Sequence, residues 1–203
     1  SKKYRSSQIM YIPNIFKMTE ITHKHQFIDE FGFGVVISSA DGLSGTHLPF
    51  VLNADEGEQG VLYAHCAKAN PHWKDLEGQN VLVIFTGPHG YISPSWYTTK
   101  PAVPTWNYTA VHAYGVVTLL EPEATLKAVD QVVEKYEPQL LVKRDIVTDQ
   151  IKHKMLAGIV GFKITLTKLE GQLKLGQNKS KDDQTGVLNA LNNSNNLNDL
   201  ILS

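Results

Sequence analysis

Four apolar runs between Phe33 and Phe85 are joined by turns and short links, and this spacing decides the fold class. The runs are Phe33–Ser39, Gly45–Leu52, Val61–Ala64 and Val81–Phe85. Asp41-Gly42 reads as a hairpin turn between the first two. Strands linked in this way argue for an antiparallel barrel rather than a parallel α/β sheet. Pro49 lies inside the second run. A proline within a strand belongs at an edge or a bulge, so a break in the ladder is expected there, and bulges often lie beside binding sites.

The densest chemistry falls between Val61 and Tyr97. Asn70 suits a helix N-cap, Pro71 the first helical position and Gly78 the end of a two-turn helix, PHWKDLE. A helix N-terminus beside Lys68 and His65 is a setting for an anion, because its first N–H groups lack partners within the helix. The plainer alternative is that Asn70-Pro71 only starts a helix. After Val81–Phe85 the sequence reads as a loop holding His89, Tyr91, Ser93, Ser95, Trp96 and Tyr97.

Elsewhere the pattern predicts a helix over Phe16–Phe31 capped near Thr19, and a strand over Thr109–Val117. A helix follows from Glu121 to about Tyr136, with an apolar stripe of Leu126, Val129, Val133 and Tyr136. A second runs over Thr148–Ala157, with Ile151 and Met155 on one face. Ile159–Leu166 reads as a strand, Glu170-Gly171 as a turn and Leu173–Leu175 as its return. Val187, Leu188 and Leu191 form a weak helical stripe. The fold class is therefore mainly β with peripheral helices. Residues 10–191 are expected to form one domain with a helical insertion at about 122–157, residues 1–9 an upstream extension, and residues 192–203 a polar tail.

With 203 residues and 42% hydrophobic residues, the chain can build a substantial core. Its one cysteine, Cys66, excludes an internal disulfide framework and fits a reducing, cytoplasmic compartment. No apolar run approaches the roughly 20 residues of a membrane span. The net charge is −1, unlike that of a typical nucleic-acid binder. Residues 143–181 nevertheless carry nine basic side chains against three acidic ones. The basic ones are Lys143, Arg144, Lys152, Lys154, Lys163, Lys168, Lys174, Lys179 and Lys181. A lysine face turned to solvent explains them without a partner. Eight histidines show no metal spacing such as HExxH, and no nucleophile motif such as GxSxG is present. No catalytic residue or metal ligand is therefore assigned.

Several segments together carry a family resemblance. They are MYIP at 10–13, THLPF at 46–50, HCAKANPHW at 65–73, VLVIFTGPHGYISPSWY at 81–97, VPTWNYTAVHAYG at 103–115 and GIVGFKITLTKLEGQLKLGQNKS at 158–180. The chain resembles the PaiB family over nearly its whole length, about Met10 to Leu191. The resemblance implies an FMN-binding split barrel, usually a homodimer with flavin at the subunit interface. It also implies a negative transcriptional regulator, a repressor of sporulation and degradative-enzyme genes. The fold is shared with pyridoxine-phosphate oxidases and flavin reductases, so an FMN-dependent oxidoreductase is the alternative. A dimeric scaffold without flavin is a third reading. FMN is the implied cofactor, with haem less favoured. DNA is an implied partner, but no helix-turn-helix is legible to contact it directly.

By the same resemblance, Thr46, His47, Leu48 and Pro49 match the strand that lies along the flavin ring. His65, Lys68 and Asn70 match the turn that grips the phosphate, with Lys68 the one basic residue of that turn kept here. Lys174 and Gln177 would reach the flavin from the partner subunit. Trp96 and Trp106 are read as interface anchors or ring-stacking residues.

Overall fold

The structure is a computed structural model that describes residues 10–143 and 145–193. The extension 1–9, Arg144 and the tail from 194 lie outside the described residues. Among the described residues, seven strands form one sheet in the order β2-β1-β5-β6-β7-β4-β3. In chain order they are β1 (Phe33–Ser38), β2 (Ser44–Pro49), β3 (Val51–Asn53), β4 (Val61–Ala67), β5 (Asn80–Ile92), β6 (Thr105–Leu119) and β7 (Ile159–Lys174). The helices are α1 (Ile21–Glu30), α2 (Pro122–Tyr136), α3 (Asp149–Leu156) and α4 (Lys181–Asn192). The mainly β class with peripheral helices is thus observed.

The chain divides into two compact units. The larger comprises Ile21–Phe85 and His112–Leu169; the smaller comprises Ser1–Glu20, Thr86–Val111 and Glu170–Ser203.

In the larger unit, the stretch from Ser44 to Asn53 supplies both edges of the sheet. β2 pairs with β1, the chain bends at Phe50, and β3 pairs with β4. One continuous segment that forms both edges curls the sheet into a barrel. The bend falls directly after Pro49, where the ladder was expected to break. Phe50 is fully buried at that corner, and its N–H donates to the Gly32 carbonyl at 2.8 Å. Its ring meets Phe85 and Phe162 edge-on, with centroids 5.6 and 6.5 Å away. All three rings are fully buried. Removing such a side chain from water contributes about 1.5–3 kcal/mol each, so this trio is a main anchor of the barrel.

In the smaller unit, the N-terminal segment docks on the end of β7. The Met10 N–H donates to the Glu170 carboxylate at 3.0 Å, the Met18 N–H donates to the Gly171 carbonyl at 2.9 Å, and Lys17 bridges to Gln172. Glu170 and Gln172 are buried there. α4 starts at Ser180, whose hydroxyl accepts the Asp183 N–H at 3.2 Å.

Several expected boundaries are corrected. Glu170-Gly171 is not a turn, because β7 runs straight through it for 16 residues. A backbone partner from the N-terminal segment makes a buried glutamate tolerable in mid-strand. Thr86–Ile92 is not loop but the second half of β5, and alternating burial offsets the weak strand propensity of its glycines and Pro88. The first helix begins at Ile21; Asn14–Phe16 is a separate 3-10 turn. α2 buries Thr125 and Ala128 rather than its predicted stripe, and Tyr136 is exposed. Gly161 explains this: a Cβ there would lie 2.4 Å from the Thr125 hydroxyl, so small residues set that contact.

Candidate functional site

The segment after β4 does not form the predicted two-turn helix. Pro71–Asp75 is a five-residue 3-10 turn. Its first available N–H, that of His72, donates to Asn70 Oδ1 at 3.1 Å. That donor is therefore not free for an anion. Asn70 is the cap, as expected, but it caps a tight turn.

The turn is sewn to edge strand β2. Asn70 Nδ2 donates to Thr46 Oγ1 at 3.1 Å. His72 lies between two hydroxyls, with Nδ1 2.8 Å from Thr46 Oγ1 and Nε2 2.8 Å from Ser38 Oγ. Ser38 and His72 are both buried. A neutral imidazole has one donor and one acceptor nitrogen, which satisfies both hydroxyls. Burial lowers the His72 proton affinity against a smaller opposing pull from Asp75, in keeping with a neutral ring. The side chains around Thr46 are thus fixed before any ligand arrives.

Two polar groups in this region are left over. The Lys68 ammonium is exposed and, among the described residues, has no hydrogen-bond or ion-pair partner. Its carbonyl accepts the Trp73 indole N–H at 3.0 Å, and its own N–H donates to Gly158 at 2.8 Å, so its backbone is held. The second is His65 Nδ1, which is buried without a partner among the described residues. Burial lowers the His65 proton affinity as well. β2 is an edge strand, so one row of its backbone groups has no ladder partner. His47 on β2 is exposed and stacks with Phe33 at 6.1 Å; Leu48 and Pro49 are half-buried.

The larger unit therefore brings Thr46, Asn70 and the Lys68 backbone together. Lys174 and Gln177 belong to the smaller unit and already have partners in their own protomer. Lys174 Nζ donates to Thr105 Oγ1 at 2.7 Å and to the Trp106 carbonyl at 2.9 Å. Gln177 accepts the Leu175 N–H at 2.8 Å and donates to the Leu173 carbonyl. Trp106 is 54% exposed and sits in an aromatic cluster, with His89 at 6.2 Å and Tyr91 at 6.4 Å. The Trp96 carbonyl faces Gly186 of α4.

His72 is the residue that reading the sequence missed. Its signal was present, since it follows Asn70-Pro71 within the NPHW segment. Its two hydroxyl partners, however, are 26 and 34 residues away.

The basic residues of 143–181 do not form one free face. Lys152 pairs with Asp130 at 2.7 Å and Lys163 with Glu56 at 3.1 Å. Lys168 lies over the Tyr114 ring and Lys179 over the Tyr97 ring. With Lys174, five of the nine basic side chains have partners within the protein. Among the described residues no group of acidic, histidine or cysteine side chains could hold a metal ion, and no helix is long and apolar enough to cross a membrane.

Residues 10–168 match a family described as "Putative FMN-binding domain". The chain is 39% identical over 197 residues to the "Protease synthase and sporulation protein PAI 2" of Bacillus subtilis, covering 93% of this chain and 92% of that protein. It is 28% identical over 228 residues to an uncharacterized protein, AN0679, of Emericella nidulans, covering 91% of each. Among solved structures, the flavocytochrome Anf3 from Azotobacter vinelandii aligns with a TM-score of 0.65 at 13% identity, over 86% of this chain and 78% of that one. The FAD and haem binding protein of Mycobacterium smegmatis aligns with a TM-score of 0.63 at 16% identity, over 83% and 78%. At these identities the two structures establish a shared split-barrel fold.

Proposed function

The chain belongs to the PaiB family of FMN-binding domains, and on that premise we propose that it is a flavin-binding transcriptional regulator acting as a homodimer. The observation that carries this reading is the Lys68 turn, sewn to edge strand β2 through Asn70, His72 and Thr46 while the Lys68 ammonium has no partner among the described residues. FMN needs positive charge at its phosphate and a flat polar edge for its ring. Lys68 suits the first, and the unpaired backbone row of β2 beside Thr46–Pro49 suits the second.

When bound, FMN supplies reversible one- and two-electron chemistry. The protein's own contribution is to bind and orient it. Thr46 and Asn70 hold the β2 backbone and the Lys68 loop in one geometry. Lys174 and Gln177 remain proposed contacts from the partner subunit; on this reading each gives up bonds within its own protomer to make them. The exposed Trp106, Tyr91 and His89 cluster is the proposed dimer face, with Trp96 nearby in sequence, because aromatic patches of this kind mark interfaces. Repression of sporulation and degradative-enzyme genes is the role that similarity to the Bacillus subtilis protein suggests for it. The scatter of the partnered lysines favours action through a partner protein over direct DNA contact.

Titration with FMN and riboflavin tests the site. Lys68→Ala should weaken FMN about tenfold or more, corresponding to about 1.4 kcal/mol, and spare riboflavin, which lacks the phosphate. Lys74→Ala, exposed on the same turn, should leave both unchanged. Equal loss of both ligands, or of neither, in Lys68→Ala would overturn the phosphate assignment. Steady NAD(P)H oxidation by the FMN-loaded protein would move the reading to an oxidoreductase.

A further inference from the structure

The smaller unit contains a cavity of about 210 Å³ between the end of β7, Tyr97 and the inner face of α4. Leu175, Val187, Leu188 and Leu191 give it an aliphatic wall. Leu175 and Leu188 are 46% and 54% exposed, so the wall opens to solvent at a mouth. An apolar cavity of about 150 Å³ takes up benzene, whereas drug-sized ligands need about 300 Å³ or more. This volume therefore suits a small organic body.

Two polar side chains in the lining, Asn107 and Lys179, have no hydrogen-bond or ion-pair partner among the described residues. Asn107 is 8% exposed and lines the cavity; its amide makes no hydrogen bond among the described residues, and its polar atoms are not fully buried. Lys179 is the second. Its ammonium lies 4.8 Å from the centre of the Tyr97 ring, and no carboxylate pairs with it among the described residues. Asp183 lies one turn along the same segment, but its Oδ1 is committed elsewhere. That oxygen accepts the Thr98 N–H at 2.8 Å, the Thr99 N–H at 2.9 Å and the Thr98 hydroxyl at 3.0 Å. Asp183 thus holds the neighbouring loop and forms no ion pair with the lysine.

We propose that this cavity binds a small aliphatic monocarboxylate, with the carboxylate at Lys179 and Asn107 and the hydrocarbon body against Leu175, Val187, Leu188 and Leu191. One unpaired cation selects one negative charge. The Asn107 amide donates to the same headgroup, and the Tyr97 ring keeps the ammonium at the rim. A ligand bound between α4 and the end of β7 bridges the two elements, giving the protein a metabolite input separate from the Lys68 turn.

Hexanoate is the probe, with neutral hexanamide as its control, in calorimetric titrations of the full chain. Hexanoate should bind saturably and at least tenfold more tightly than hexanamide. Lys179→Gln should abolish that preference while leaving hexanamide binding intact. Leu188→Asp, at the exposed mouth, should weaken both ligands without unfolding the protein, as circular dichroism would show. The proposal is overturned if hexanoate does not saturate, if Lys179→Gln keeps the preference, or if Leu188→Asp binds both ligands as the parent does.

Discussion

The turn beside β2 and the cavity beside α4 handle polar groups in different ways. Around β2, Ser38, Thr46, Asn70 and His72 satisfy one another, Lys68 extends outward, and His65 Nδ1 is buried without a partner among the described residues. Beside the cavity, Asp183 Oδ1 is engaged with Thr98 and Thr99, while among the described residues the Asn107 amide makes no hydrogen bond and the Lys179 ammonium has only the Tyr97 ring. The first arrangement is pre-organised, so a ligand there meets fixed groups at little entropic cost. The second is incomplete, and a ligand would supply what the fold leaves out. Sites can thus arise both where polar side chains are tied together and where polar side chains line an apolar cavity without hydrogen bonds of their own.

Paired glycine substitutions give the largest effects and separate the two regions. A Cβ on Gly115 would lie 2.4 Å from the Thr165 carbonyl and 2.7 Å from Ile164 Cγ2. Both are barrel atoms that cannot yield without opening the β6–β7 packing. Gly115→Ala should destabilise the protein by about 3 kcal/mol or more, measured by urea unfolding. A Cβ on Gly186 would lie 2.1 Å from the Trp96 carbonyl. Alanine in a helix normally gains about 0.5–1 kcal/mol over glycine, but the clash outweighs that gain. Gly186→Ala should therefore lose about 1–2 kcal/mol net and lose hexanoate binding, while FMN binding persists. Equal loss of both ligands in Gly186→Ala would mean that the two regions are not separable.

These glycines also mark where the sequence was legible and where it was not. The barrel class, the break at Pro49 and the Asn70 cap rest on local signals, and local signals survive folding. The straight passage of β7 through Glu170-Gly171 depends on Met10, 160 residues away, whose N–H supplies the partner for the glutamate. No local pattern carries that information. The Ser180-x-x-Asp183 spacing is a legible capping signature, and the serine does cap α4. The carboxylate, though, reaches out to Thr98 and Thr99, 85 and 84 residues away in sequence. Among the proposed flavin residues, the Thr46–Asn70 contact is borne by a hydrogen bond, whereas Lys174 and Gln177 are occupied at home.

The pH dependence of stability should be intermediate in size and should come mostly from the larger unit. Burial depresses the proton affinities of His72 and His65. Above about pH 6.5 both histidines are neutral folded or unfolded, so they add no pH dependence. As pH falls below that value the unfolded chain takes up protons that the folded one resists, and stability falls. Each histidine contributes at most about 1.4 kcal/mol per pH unit in that window. His72→Gln should flatten the slope between about pH 6.5 and 5, leaving the His65 share. A separate acid limb belongs to Asp183. Hydrogen bonds, first from the Thr99 backbone, hold its carboxylate below the ordinary range. Its stabilisation is present above about pH 4 and is lost at lower pH, and Asp183→Asn should remove that limb. An unchanged slope in His72→Gln would mean that the ring is not held neutral by burial.

The smallest effect concerns a second set of mutually satisfied polar groups in the larger unit. Tyr63 donates to Glu56 at 2.6 Å, and Lys163 donates to the other carboxylate oxygen at 3.1 Å. The Tyr63 bond is the first cause that lowers the Glu56 proton affinity, while burial, aided by Glu56, pushes Tyr63 up to about 12. Tyr63→Phe removes one hydrogen bond but leaves Glu56 paired with Lys163, so no buried charge is stranded. The cost should be about 1 kcal/mol, the ordinary net worth of a single bond. A spectroscopic titration gives the sharper test. An ordinary tyrosine ionises near pH 10, so the parent and Tyr63→Phe should show the same phenolate absorbance up to about pH 11 and diverge only above it. If they diverge near pH 10, Tyr63 is not held by Glu56, and this cluster belongs with the incompletely satisfied groups of the cavity rather than with the network around His72.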